Sequence, residues 1–283
     1  MSLQALIRQR HASLSPTLQQ AARYVIDHPN AVVTESMRAV SARSGVAPTT
    51  LLRLAQQLGF EGWPQLKEAL TQDMGLAAEK SYGHRACQLA GRGQDAALVA
   101  ELFEVHKRNL SHTEQQASHS LPRAARVLEQ VRRVHVAGFR ACFPVAHSLL
   151  YVYRLFRHEV QLIDGQGGSL EMQARAIAPE DALLVVSFAP YSREALEVAR
   201  AAHAAGAAIV ALTDSAASPL SLMARETVLF TTQSPSFFPS VAAAMAVAES
   251  LLELLATRAG QAGIERIDAA ETQLRQSGAY LPD

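Results

Sequence analysis

The sequence has 283 residues, enough on length alone for more than one domain. Hydrophobic residues make up 49% and charged residues 18%, so the composition supports a well-buried core throughout. The formal net charge of zero argues against a uniformly basic nucleic-acid binder, but not against a small DNA reader joined to a larger sensor.

Taken in order, the chain first shows a strong helical signal at Ser15-Pro16, with serine as N-cap and proline at the first helical position. Leu18, Ala21, Ala22, Val25 and Ile26 form the buried stripe of that helix, and His28-Pro29-Asn30 ends it. A second helix is predicted from about Ser36 to Ser44. Gly45 makes a tight turn, and a third helix runs from about Pro48 to Leu58, with Leu51, Leu54, Ala55 and Leu58 apolar. Thr49, Thr50, Arg53 and Gln56 fall on or beside its other face. Helix, glycine turn and second helix with exposed hydroxyl, guanidinium and amide groups is the pattern of a DNA-reading helix-turn-helix. Leu52 lies near the reading face, either against a thymine methyl or packed inward. Up to residue 75 seven basic residues face five acids, a slight excess. Trp63-Pro64 starts a further helix to about Gln72.

Residues 76–120 are read as a linker and connecting helix, because Gly75, Gly83, Gly91 and Gly93 weaken the helical pattern before it resumes at Asp95. From Arg133 the chain alternates strands and helices. The strands are Val134 to Ala137, Val160 to Ile163, Ala182 to Phe188, Ala208 to Thr213 and Thr227 to Phe230. Continuous apolar runs such as Ala-Leu-Leu-Val-Val imply a sheet covered on both faces. The intervening helices are expected at about Phe143–Phe156, Gly168–Ile177, Ser192–Ala205 and, briefly, after Pro219. A long helix follows from Pro239 to Arg258, and an amphipathic one from Ile264 to Gln276. The fold class is therefore α/β overall: an all-α domain over residues 1–75, then a doubly wound, mainly parallel five-stranded domain over 121–260 and a C-terminal helix and tail over 261–283.

In such sheets ligands bind beyond the carboxyl ends of the strands, where the strand order reverses. Three strand ends are polar: Gly138-Phe139-Arg140-Ala141-Cys142, Ser187 to Glu194, and Thr213 to Pro219. Helix starts there favour an anion, with Arg140, Ser187, Ser192 and Arg193 as partners for a phosphate or carboxylate. Gly138 and Tyr191 belong to the same loops, and Ser236 or Ser240 offers a hydroxyl from the opening of the long helix, where an N-cap role is the alternative. Two cysteines, Cys87 and Cys142, are too few for a disulfide framework or a thiolate zinc site. The histidines form no metal-ligand pattern, and no cofactor is expected.

Ser44-Gly-Val-Ala-Pro-Thr-Thr-Leu-Leu-Arg-Leu-Ala-Gln-Gln-Leu-Gly-Phe60 and its surroundings over residues 1–75 resemble the N-terminal domain of RpiR/MurR-type bacterial transcriptional regulators. Residues from about 120 to 258 resemble the SIS, or sugar isomerase, domain of the same family. The N-terminus lacks the long apolar core of a signal peptide, and the most apolar later segment, Val241 to Ala256, is short for a bilayer span, so a cytoplasmic protein is expected. The resemblance implies a homo-oligomeric regulator that binds operator DNA as a dimer or tetramer through the helix bearing Thr50 and Arg53. It also implies a SIS domain that senses a small anionic metabolite, a phosphorylated sugar among them, with Ser187 and Ser192 at hydroxyl positions of the phosphate loop. That loop usually reads Ser-x-Ser-Gly-x-Ser/Thr, whereas Ala189 and Pro190 stand here for its serine and glycine, and Pro190 removes an N–H donor. The competing expectation is a SIS-type sugar-phosphate isomerase. It requires a general base, for which Glu171 is a weak candidate, and an intact phosphate loop.

Overall fold

The computed structural model describes residues 3–73, 82–90 and 95–279, which divide into two compact units, Met1–Glu79 and Lys80–Asp283.

The first unit is all helical: α1 (Leu3–Arg10), α2 (Pro16–Asp27), α3 (Pro29–Thr34), α4 (Met37–Ser44), α5 (Pro48–Gln57) and α6 (Trp63–Asp73). Each helix contributes apolar side chains to one core, with Ile7, Val25, Val32, Leu51, Leu54 and Leu66 all fully buried. Two of these helices go beyond expectation. α1 precedes the first strong sequence signal, and α3 begins at Pro29, which was read as a stop. Proline ends a helix and equally opens the next, because its missing N–H has no intrahelical partner at the first position. Here the end of α2 and the start of α3 share His28.

The second unit opens with α7 (Tyr82–Ala90), a helix inside the stretch read as linker, where Gly83 had lowered the helical signal. Residues 74–81 and 91–94 of that stretch lie outside the described residues. α8 (Asp95–Ala117) and α9 (Leu121–Glu129) lead into β1 (Val134–Gly138), α10 (Phe143–Phe156), β2 (Val160–Ile163), α11 (Leu170–Arg175), β3 (Ala182–Val186), α12 (Arg193–Ala204), β4 (Ala208–Thr213) and β5 (Glu226–Leu229). α13 (Ala242–Gln276) closes the chain and is interrupted at Gly260, whose φ of 59° and ψ of −150° are not helical. The break falls between the two helices expected at Pro239–Arg258 and Ile264–Gln276, and the first of them starts three residues later than Pro239. The expected short helix after Pro219 is absent. Ser218 Oγ accepts the Ser221 N–H at 3.0 Å and Ser221 Oγ donates to the Ser215 carbonyl at 2.9 Å, so the serines tie a non-helical turn instead.

All five strands are parallel, in the order β2-β1-β3-β4-β5, with Gly138 opposite Val186 at the end of the β1–β3 register. β3 is buried at every position. Its Leu184 and Val186 join the core under α9, α10 and α13, while Leu183 and Val185 join the core under α12. α8 packs beside β5 and α13, where the Asn109 amide donates to the Gln233 carbonyl at 2.7 Å.

Candidate functional site

In the helical unit, Gly45 adopts φ 69° and ends α4 in the left-handed conformation that favours glycine. Gln20 Nε2 donates to the Ser44 carbonyl at 3.1 Å and Ser41 Oγ to the Val46 carbonyl at 2.7 Å, so both sides of the turn are tied. Arg10 donates to the Gln57 carbonyl at 2.8 Å and closes the far end of α5. Thr49, Arg53 and Gln56 lie exposed along α5 and Thr50 is half-buried, while Leu51, Leu54 and Ala55 face the core. Leu52 is 37% exposed, so it stands on the outward face rather than in the core. Arg53 makes no ion pair among the described residues, whereas Arg43 pairs with Glu35 at 2.9 Å. Lys67 donates to the Glu35 carbonyl at 2.9 Å, and partial burial holds its ammonium below the ordinary lysine range.

In the second unit the strand order reverses between β1 and β3, and a cavity of about 460 Å³ opens beyond their carboxyl ends. Arg140, Ser187, Tyr191, Ser192 and Arg193 line it together. Gly138 lies beneath: a Cβ there would meet the Cys142 carbonyl oxygen at 2.7 Å, so the first residue of the loop must be glycine for the turn to close. Arg140 has φ 55° and begins a single 3-10 turn to Cys142, whose N–H donates to the Phe139 carbonyl at 3.0 Å. A non-glycine residue held in the left-handed region is a form of strain that gathers at binding sites.

Ser192 caps α12, accepting the Ala195 N–H at 3.2 Å, which leaves its hydroxyl proton free to donate. Ser187 is 3% exposed and its hydroxyl makes no hydrogen bond to a described residue. The two guanidinium groups are paired with carboxylates on α12, Arg140 with Glu194 at 3.0 Å and Arg193 with Glu197 at 2.7 Å. Its own N–H at the helix start holds the Glu194 carboxyl below the usual range despite partial desolvation, with Arg140 assisting. Burial pushes the Cys142 thiol up to about 12, so it is not a nucleophile at neutral pH.

Ser236 and Ser240 do not line the cavity. Ser240 Oγ accepts the Ala242 N–H at 3.3 Å, the capping role that was the alternative for it. Phe238, from the same segment, does reach the cavity, as does Tyr82 of α7, with ring centroids 5.1 Å apart. Tyr82 carried no sequence signal for a site, because it lies far from the strand ends in the stretch taken as linker. Glu171 is not among the lining residues. Among the described residues no three His, Cys, Asp or Glu side chains gather as they would around a metal ion.

The helix-turn-helix domain model of the rpiR family matches residues 1–76, and the SIS domain model matches residues 127–254. The chain is 26% identical over 217 residues to the bifunctional protein glk of Burkholderia thailandensis, covering 74% of this chain and 32% of that protein. It thus spans about a third of the length of the first of its curated relatives. It is 27% identical over 217 residues to the HTH-type transcriptional regulator HexR of Pseudomonas aeruginosa, covering 76% of this chain and 73% of HexR. The Vibrio vulnificus NanR protein, solved in complex with ManNAc-6P, shares the fold across 99% of this chain and 100% of its own, with a TM-score of 0.56 at 18% identity. No described helix is long and apolar enough to cross a membrane. With its rpiR-type reader followed by a SIS domain, the chain belongs to the RpiR family of helix-turn-helix transcriptional regulators.

Proposed function

We propose that α5 reads operator DNA, and that a small anionic metabolite held in the cavity between β1 and β3 governs that reading. One observation carries this proposal: a single chain holds both an exposed face of Thr49, Arg53 and Gln56 on a turn-supported helix and a cavity with Ser187, Ser192 and two arginines at the sheet's switch point. The curated relative HexR and the NanR structure with ManNAc-6P support the pairing, and they make phosphorylated sugars the first class to test. Among the described residues the cavity is lined by no carboxylate, carboxamide or imidazole side chain. Among the described residues it thus offers no carboxylate or imidazole to act as the general base that sugar-phosphate isomerisation requires.

A dimer or tetramer places two reading helices on half-sites about 34 Å apart. Of the two longest helices of the second unit, α13 buries Ala244, Val247, Leu251 and Leu255 within that unit, whereas α8 leaves Val99, Phe103 and Leu110 exposed. α8 is therefore the better candidate for the contact between copies. The metabolite acts by binding one arrangement of the copies more tightly than another.

The test uses the full chain. An operator is selected from a random oligonucleotide pool, and its affinity is measured with and without a panel of phosphorylated sugars and organic acids. Selection of a two-fold symmetric sequence, with an affinity that one acid alters and that Arg140→Ala/Arg193→Ala renders indifferent to the acid, supports the proposal. Failure to enrich any sequence removes the DNA-reading role, and turnover of a phosphosugar at enzymatic rates favours an isomerase.

A further inference from the structure

The cavity is chemically one-sided. Five of its lining residues carry aromatic rings: Tyr82, Phe139, Phe188, Tyr191 and Phe238. Its charged side chains are both guanidinium groups, which donate hydrogen bonds and accept none. The Tyr191 hydroxyl is already donated to Asp214 at 2.8 Å, and Ser192 Oγ already accepts the Ala195 N–H. Ser187, almost wholly buried and without a side-chain partner among the described residues, offers a donor into the cavity.

A polyhydroxylated body brings several O–H groups, each needing an acceptor when it leaves water. Carboxylates and carboxamides usually supply those acceptors, and none lines this cavity among the described residues. A phosphate or carboxylate head brings acceptors only and suits this donor set. The rest of the wall suits an apolar ring. The Tyr82 and Phe238 rings meet at 5.1 Å with a 44° tilt, and the Arg85 guanidinium lies 5.3 Å from the Tyr82 ring.

Resting on the anion-sensing proposal above, we infer that the effector is an anion with a flat, sparsely hydroxylated ring, an aryl phosphate or aryl carboxylate in chemical class. The anionic head meets Ser187 and the start of α12, and the ring lies against Tyr82 and Phe238. Tyr82 is then a specificity-determining residue supplied by α7.

The experiment measures binding of three probes to the full chain by calorimetry: inorganic phosphate, glucose 6-phosphate and phenyl phosphate. Phenyl phosphate is expected to bind about tenfold more tightly than either of the others, from burial of its ring. Tyr82→Ala removes most of that preference and leaves the affinity for inorganic phosphate unchanged, while Tyr82→Phe keeps it. Glucose 6-phosphate binding as tightly as phenyl phosphate, or a preference that survives Tyr82→Ala, overturns the inference and leaves the anion site standing. Binding of none of the three overturns both. The ranking of probes on the unaltered protein decides the matter even where Tyr82→Ala fails to fold.

Discussion

Tyr191 and Asp214 join two neighbouring strand ends: the phenol hydroxyl that follows β3 donates to Asp214 Oδ1 at 2.8 Å, just past β4. Asp214 Oδ2 accepts the Ala189 N–H at 3.2 Å, so one carboxylate holds two points of the loop that rims the cavity. Burial first, and then the Asp214 charge, push the Tyr191 phenol above its ordinary 10.0, so it stays a donor throughout the neutral range. Tyr191→Phe is expected to cost about 1 kcal/mol, read from urea unfolding at pH 7. A folded-state value raised above the unfolded one gives stability that is present below pH 10.0 and lost as pH rises beyond it. The deficit of the phenylalanine variant should therefore shrink above that pH, and a constant deficit would show that the phenol is not the coupled group.

Arg53 projects from α5 without an ion pair among the described residues, so its charge is available to DNA at no cost in broken contacts. Arg53→Ala is expected to weaken operator binding by about 1–3 kcal/mol if the guanidinium reads a base edge. If it contacts a phosphate, the slope of log affinity against log salt should fall by about 0.9 per reading helix. Fluorescence titration at four salt concentrations separates the two. An unchanged affinity at every salt would place Arg53 outside the interface.

The sheet was legible because burial on both faces demands continuous apolar strands, and Ala182–Val186 meets that demand at every position. The helix-turn-helix was legible because Gly45 and Pro48 punctuate it and Leu51, Leu54 and Leu58 repeat at helical spacing. What escaped were short helices whose signal is local and weak. α3 has six residues and α7 carries Gly83, so neither shows a sustained period, and their packing partners decide them. The cavity's strand-end residues were found from the general rule for doubly wound sheets. Tyr82 was not, because it meets Phe238 only through tertiary packing, and no sequence spacing encodes that contact.

Asp181 stands immediately before β3, fully buried, at the centre of a polar cluster that tightens the opposite end of the sheet. It accepts from Arg132 Nε and Nη2 at 3.1 and 3.3 Å, meets His135 Nε2 at 3.1 Å and accepts the Ala178 N–H at 3.1 Å. Burial raises its pKa, but the Ala178 N–H, His135 and Arg132 together outweigh burial and hold the carboxyl below its ordinary 3.8. The sign follows: the folded-state value lies below the unfolded one, so the contribution is present above pH 3.8 and is lost as pH falls through the folded value. Asp181→Asn should cost roughly 1–3 kcal/mol at pH 7. Thermal unfolding followed downward from neutral pH should show the two proteins converging in acid, and parallel curves would refute the coupling.

Gly138 closes β1 where a side chain has no room: an added Cβ would lie 2.7 Å from the Cys142 carbonyl oxygen and 2.8 Å from Ala146 Cβ. The first of these is backbone, fixed by the 3-10 turn from Arg140 to Cys142, so relief requires moving the loop that carries Arg140. Gly138→Ala is therefore expected to cost about 1–3 kcal/mol, as overpacking typically does. A unit of this size should lose about 2–4 °C in Tm for each kcal/mol. Gly83 provides the contrast, since a Cβ there meets nothing within 4 Å inside α7. Gly83→Ala should leave Tm unchanged or raise it slightly, because alanine favours a helix by about 1 kcal/mol over glycine. Ligand affinity separates the two further. Displacing Arg140 should weaken anion binding in Gly138→Ala beyond what its lower Tm accounts for, and equal affinity in both alanine variants would mean that the first loop does not shape the cavity.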